Sequence, residues 1–245
     1  MNKIFVQDYH YIENLKDNSI DAIIIDPPYE INYKNNQFND ATDSINWYFI
    51  FNQSYRLLKN SGNLVIFCGW SNLQTILEII HDFPAHPFFE LKNMIVWDRQ
   101  KTKNGGDKNF TSAREEMLWF IKSKNYIFNK EDSLIKKATK GFGSRNGSEY
   151  RRLSNVWTDI SPIMYTTKEY NGYPCQKPLQ LMQRLVRTFS NKNDVILDFF
   201  CGSGSTLEAS VIEHRRCIGV DNNKAAIKLC KIRLKKYNIK IIPTK

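Results

Sequence analysis

The chain has 245 residues, is 42% hydrophobic and carries a formal net charge of +10, which fits one α/β domain with a modest insertion and excludes global disorder. No run approaches the roughly 20 apolar residues of a membrane-spanning helix, and residues 1–10 lack a secretory apolar core and carry Asp8, so the expected location is the cytoplasm. Positive surplus favours a polyanionic partner through counterion release, although charge alone fits a protein without such a partner equally well.

Taken in chain order, residues 21–26 (DAIIID) predict a buried strand ended by Pro27-Pro28. Ile45, Tyr48, Phe49, Asn52, Tyr55 and Leu58 fall near helical spacing and predict a helix over 44–59. A second buried strand follows at 63–68, a helix at 72–81, and two more strands at 93–97 and 116–121, with a polar, basic loop at 99–108 between them. Residues 129–172 are the least regular. They carry Lys136, Lys137, Lys140, Arg145, Arg151 and Arg152 among glycines and aromatics, and read as an insertion with its own task. From 176 the rhythm returns: helix 178–190, strand 194–199, a glycine-rich turn, helix 207–213, strand 216–221 and helix 224–236. Such alternation predicts an α/β fold with a mostly parallel twisted sheet and helices on both faces. The basic residues of the last helix read as a solvated face, whereas clustering in the insertion favours phosphate and base contacts.

The five cysteines (Cys68, Cys175, Cys201, Cys217, Cys230) are odd in number and never in C-x-x-C spacing, so free thiols are expected. His10, His81, His86 and His214 are dispersed, and no metal site is expected.

Two stretches carry chemistry. Asp198-Phe199-Phe200-Cys201-Gly202-Ser203-Gly204 lies between a predicted strand and a predicted helix, where glycines admit a ligand to the backbone and the helix N-terminus favours an anionic group. Asp221 ends the next strand, where an acid can accept hydrogen bonds from ribose hydroxyls. The alternative is a tight strand-to-helix turn with no ligand. Leu207 occupies the third glycine position of a dinucleotide fingerprint, which fits a ligand without pyrophosphate, such as S-adenosylmethionine, better than NAD.

Asp26-Pro27-Pro28-Tyr29 directly follows a predicted strand. Two prolines stiffen the turn and remove two N–H donors, leaving free carbonyls, a carboxylate and an aromatic ring. This set matches a nucleobase amine: Asp26 and the Pro27 carbonyl can accept its hydrogens, freeing a delocalised lone pair, while Tyr29 stacks on the base. The alternative is an ordinary proline turn with a solvated acid.

Together these motifs resemble the amino-DNA methyltransferases, and their order, catalytic turn first and cofactor glycines last, is similar to the circularly permuted β-group. Residues 173–186 (YPCQKPLQLMQRLV) resemble the family's helix start that lines the methionine end of the cofactor, and the segment ahead of the D-P-P-Y strand resembles the family's opening stretch, whose acid, here Asp8, sits by the cofactor adenine. The chain departs from the family pattern at Phe199, Tyr173 and Ser205, which stand where Pro, His and Thr are usual.

The resemblance implies a Rossmann-like, circularly permuted methyltransferase fold with a small target-recognition insertion: a catalytic half at 1–128, target recognition at 129–172 and a cofactor half at 173–245. It implies S-adenosyl-L-methionine held by Asp8, Asp26, Lys177, Asp198, Phe200, Gly202, Ser203, Gly204, Ser205, Thr206 and Asp221. Catalysis falls to Asp26, Pro27, Pro28 and Tyr29. Double-stranded DNA would be the substrate, its target base flipped out of the duplex. A homodimer is implied by the resemblance alone, and a cognate restriction endonuclease is one of two settings, the other being a solitary enzyme.

Asp at the head of the turn favours N6 of adenine, whereas N4-cytosine enzymes more often begin it with Ser or Thr. The rivals are N4-cytosine methylation, methylation of RNA or of a protein amide, and a non-catalytic nucleic-acid-binding protein. Pro174-Cys175 imitates the nucleophile motif of cytosine-C5 enzymes, but it precedes Lys177-Pro178 at a helix start, as the β-group cofactor segment does.

Overall fold

The computed structural model describes residues 2–28, 45–81, 89–99, 108, 110, 112–136 and 150–243. The chain forms β1 (Asn2–Val6), β2 (Ile20–Ile25), α1 (Trp47–Leu57), β3 (Leu58–Cys68), α2 (Trp70–His81), β4 (Glu90–Asp98), β5 (Arg114–Ile121), β6 (Leu134–Lys136), β7 (Tyr150–Arg152), β8 (Val156–Trp157), α3 (Leu179–Phe189), β9 (Val195–Asp198), α4 (Ser205–Ile212), β10 (Arg216–Asp221), α5 (Lys224–Leu234) and β11 (Ile239–Ile242), with 3-10 turns at Tyr9–Asn14 and Lys130–Ser133.

Nine strands form one sheet in the order β11-β1-β10-β9-β2-β3-β5-β4-β8. Each neighbouring pair is parallel except the two that involve β5, which alone runs against the rest. The Rossmann-like, permuted arrangement is visible in the centre: β2, early in the chain, lies between β3 and the late strand β9.

Strand β2 is an unbroken apolar run because both its faces are covered, as parallel strands require. Ile23 and Ile25 join Leu64 and Ile66 of β3 and pack against Trp47, Ile50 and Phe51 of α1 and Ile76 and Ile79 of α2. Ala22 and Ile24, pointing the other way, join Val65 and Phe67 and pack against Leu181, Met182, Leu185, Val186 and Phe189 of α3. A third cluster seats α4 and α5 against β1 and β10 through Ile4, Leu207, Cys217, Ile227, Cys230 and Leu234.

Two polar side chains inside this core, Asn63 and Asp21, are paired across elements. Asn63 of β3 is fully buried. Its amide donates to the carbonyls of Ile127 (2.8 Å) and Phe189 (3.0 Å), and its Oδ1 accepts from Trp119 Nε1 at 2.9 Å, tying the β5 exit and the α3 end to the sheet. Asp21 in β2 takes Lys59 Nζ at 2.7 Å and the Val195 N–H at 2.9 Å.

The sequence reading has no counterpart for β1 and β11, two short strands that pair with each other, with β1 in turn paired to β10. Residues 129–172 are not one irregular body. β6 and β7 form a separate antiparallel hairpin, whereas β8 pairs with β4 at the edge of the main sheet. Trp97 Nε1 donates to the Ile160 carbonyl at 2.8 Å, and Arg184 of α3 grips Asp159 with two bonds of 2.9 and 2.5 Å. Residues 129–172 thus contribute one strand to the edge of the main sheet and two to a separate sheet.

Replacing Asn63 by Leu should destabilise the protein by about 3 kcal/mol or more in urea unfolding, because one buried donor and two buried carbonyls lose their partner at once. A change under about 1 kcal/mol would mean that the core repairs those bonds.

Candidate active site

The register Ala22↔Ile196 and Ile23↔Leu197 sets β2 and β9 side by side and pointing the same way. Asp26 and Asp198 therefore emerge at the same carboxyl edge on adjacent strands, with Asp26 two residues beyond the level of Asp198. β10 is the next parallel strand and delivers Asp221 to that edge, with Gly219 aligned to Asp198. Such an edge is where open α/β sheets bind ligands.

Glycine is required at two points of the turn after β9. Gly202 has φ +48°, and a Cβ there would stand 3.1 Å from the ring of Tyr173. Gly204 caps α4 with φ +85°, and its Cβ would meet Cys230 Sγ at 2.6 Å. Leu207 occupies the third fingerprint position because the space comes from the neighbouring strand: a Cβ on Gly219 would fall 2.6 Å from Leu207 Cδ1.

Asp198 is buried and Asp221 half-buried, and each is satisfied within its own turn. Asp221 accepts from the Gly202 N–H at 2.7 Å and from the Asn223 N–H at 2.8 Å. Burial raises its proton affinity, and the two N–H bonds partly offset the rise. Asp198 accepts from the Phe200 N–H at 3.1 Å and from the Thr206 side chain. Burial pushes its pKa up to about 7 against those bonds, with the charges of Asp26 and Asp221 adding to the rise. Burial and the nearby Asp221, Cys175 and Asp26 keep the Tyr173 phenol protonated.

Lys177 precedes α3 and is buried. Its Nζ lies 2.5 Å from Asp26 Oδ2, 3.3 Å from Glu115 Oε2 and 5.1 Å from the centre of the Phe67 ring. Burial alone would favour the neutral amine, but Asp26 and Glu115 more than reverse this and hold the ammonium above the usual lysine value. The segment is pinned: Glu169 Oε1 accepts the Leu179 N–H at 2.7 Å, capping α3, and Gln176 bonds to the Glu169 carbonyl and the Asn171 N–H.

Asp8 is exposed at the end of β1. It caps the 3-10 turn through the His10 N–H, pairs with the His10 ring and lies 3.4 Å from Asn222 Nδ2, just past Asp221. The Tyr9 ring packs beside Phe200, with centroids 5.2 Å apart.

The structure thus brings together Asp26, Lys177, Asp198, Gly202, Gly204 and Asp221. Ser203, Ser205 and Thr206 are buried at the start of α4, and Ser205 Oγ has no hydrogen-bond partner among the described residues. Pro28 is tied down by Asn72, whose amide lies 3.4 Å from its carbonyl. Tyr29, Lys137, Lys140 and Arg145 lie outside the described residues, as do the side chains of Lys136 and Arg151; Arg152 is exposed on β7. Sequence reasoning missed Glu115, Tyr9 and Asn72. Glu115 falls just ahead of the predicted strand at 116–121, and only its partner Lys177, remote in sequence, gives it meaning.

Cys175 lies beside this group and is half-buried. Among the described residues no group of three or more His, Cys, Asp or Glu could hold a metal ion, and no helix is long and apolar enough to cross a membrane.

A family model described as DNA methylase, of the N6/N4 type, matches residues 20–231. The chain is 30% identical over 228 residues to the DNA adenine methyltransferase YhdJ of Escherichia coli K12, covering 86% of this chain and 74% of that one. It is 32% identical over 229 residues to the Type II methyltransferase M.HpaI of Haemophilus parainfluenzae, covering 91% and 70%. Among solved structures, the M1.HpyAVI–SAM complex matches with TM-score 0.64 and 26% identity over 96% of this chain and all of that one. The PvuII cytosine-N4-specific DNA methyltransferase matches with TM-score 0.70 over 98% and 95%, at 16% identity, a likeness of fold alone.

Because the Asp198 pKa lies near 7 against 3.8 for a free side chain, the native state keeps a proton that the unfolded chain releases. Stability therefore falls as pH rises from about 4 to about 7 and levels off above that. Asp198→Asn removes this penalty, so its stability relative to the parent should climb across that window by on the order of 2–4 kcal/mol. A stability difference independent of pH would contradict the assignment.

Proposed function

The chain belongs to the DNA methylase family and is an S-adenosylmethionine-dependent enzyme acting on an amino group of adenine or cytosine in DNA, and within that activity we propose N6 of adenine in duplex DNA as the target. One observation carries the reading: the Asp26-Pro27-Pro28 turn and the glycine turn leave adjacent parallel strands at one carboxyl edge. Adenine is favoured by the acid at the head of the turn and by the likeness to YhdJ, a DNA adenine methyltransferase.

The residues present fit the cofactor. Each Asp221 oxygen accepts one backbone N–H, which leaves lone pairs for a ribose diol. Ser205 Oγ is a buried polar atom awaiting a partner at a helix start, and Gly202 and Gly204 bring bare backbone to the same place. Asp8, Tyr9 and Phe200 form a polar and aromatic corner suited to a purine. In this proposal Asp8, Phe200 and Asp221 hold the nucleoside end, while Asp198, Gly202, Ser203, Gly204, Ser205 and Thr206 shape the methionine end. When bound, S-adenosylmethionine supplies a sulfonium methyl, an electrophile for one in-line displacement.

The protein's part is positioning and electrostatics. The target base leaves the duplex at a cost of a few kcal/mol and stacks on Tyr29. Asp26 and the Pro27 carbonyl accept the two amine hydrogens, draw the nitrogen toward tetrahedral geometry and release its lone pair. The proton shed afterwards needs no strong base, because the methylated ammonium is acidic, and Asp26 passes it to water. Residues 129–172, with their basic cluster, are proposed to read the target sequence. A homodimer and a cognate endonuclease extend the same proposal.

Asp26→Ala should lower methyl transfer by about a hundredfold or more while leaving a folded chain that still binds the cofactor; full activity would remove Asp26 from the mechanism. Nucleosides from DNA methylated by the enzyme should contain N6-methyladenine, and N4-methylcytosine alone would move the target to the rival base. DNA affinity should fall steeply between about 50 and 200 mM salt, with a flat response counting against phosphate contacts by the basic cluster.

A further inference from the structure

We propose that Lys177 is the positioning residue of Asp26, a buried cation that orients the catalytic carboxylate and keeps it ionised, with Glu115 and Arg99 holding Lys177 in turn. This rests on the reading above that Asp26 receives the target amine.

The geometry is that of a built device. Arg99 Nη1 lies 3.1 Å from Glu115 Oε1, Glu115 Oε2 lies 3.3 Å from Lys177 Nζ, and Lys177 Nζ lies 2.5 Å from Asp26 Oδ2. Four charges alternate in sign and sum to zero, which makes the burial of Lys177 tolerable. The ammonium also lies over the Phe67 ring, so the side chain is fixed before substrate arrives. An ammonium at this distance makes Asp26 a firm acceptor and a weak base, the role that methylation of an aromatic amine asks of it.

Other acids near Asp26 oppose that state. Asp198 shares its field and Asp221 adds to it, the Tyr173 phenol beside them stays neutral, and Glu115 and the Cys175 thiol face Lys177. Without the lysine, Asp26 would sit among acids and take up a proton at higher pH.

The test is single-turnover methylation of duplex plasmid DNA with tritiated S-adenosylmethionine across pH, in the full chain. Lys177→Met should lower the saturating rate by about tenfold or more and move the acid limb of the profile up by about one pH unit or more, with KM for DNA within about threefold. Lys177→Arg should keep the limb near its parent position and recover part of the rate. A Lys177→Met enzyme with an unmoved acid limb overturns the inference. So does one whose cofactor affinity drops while its saturating rate stands, which would make Lys177 a cofactor ligand. Should Lys177→Met fail to fold, Glu115→Gln decides: it leaves the ammonium to Asp26 alone and should move the limb down, and an unmoved limb again overturns the inference. Asp26→Ala run alongside separates the two levels. If that variant is fully active, the assignment of Asp26 itself falls.

Discussion

Asp21 and Val195 are 174 positions apart, yet the Asp21 carboxylate accepts the Val195 N–H at 2.9 Å. That bond marks the start of the pairing between β2 and β9, on which the site depends. Two parallel strands laid in register end together, so their carboxyl-terminal turns meet whatever the length of chain between them. The proline turn and the glycine turn are each ordinary in isolation. Set on neighbouring strands, they place the Asp26 carboxylate beside bare backbone and the acids Asp198 and Asp221.

Charge balance governs the interior of the site. Asp26, Asp198, Asp221 and Glu115 crowd a small volume, and water does not screen the two buried under the turns. Backbone N–H groups answer Asp221, burial brings Asp198 to about the midpoint of its titration at neutral pH, and Lys177 answers Asp26 and Glu115 together. The three acids at the strand ends thus differ in state although they differ little in position, and each state follows from the partner its neighbours supply.

The sequence departures from the family pattern have structural meaning. Tyr173 packs its ring against Gly202, so this phenol helps to define the space over the glycine turn. Phe199 is fully buried in the core beneath Phe200, where its ring contributes packing to the central sheet. Neither change removes a group that the proposed chemistry uses.

The sequence by itself determined the strands and helices of the central sheet, because a strand covered on both faces must be an apolar run and an amphipathic helix must repeat its apolar residues every three or four positions. It also determined the two motifs, since a double proline after a strand and glycines before a helix constrain the backbone locally. Only the tertiary structure decided what depends on distant pairing: the edge strands β1 and β11, the reversal of β5, the division of residues 129–172 between a separate hairpin and the main sheet, and the partnership of Lys177 with Asp26 and Glu115. Local sequence fixes the conformation of a segment, but a charge acquires its function from the charge beside it, and that neighbour is chosen by the packing of the whole chain.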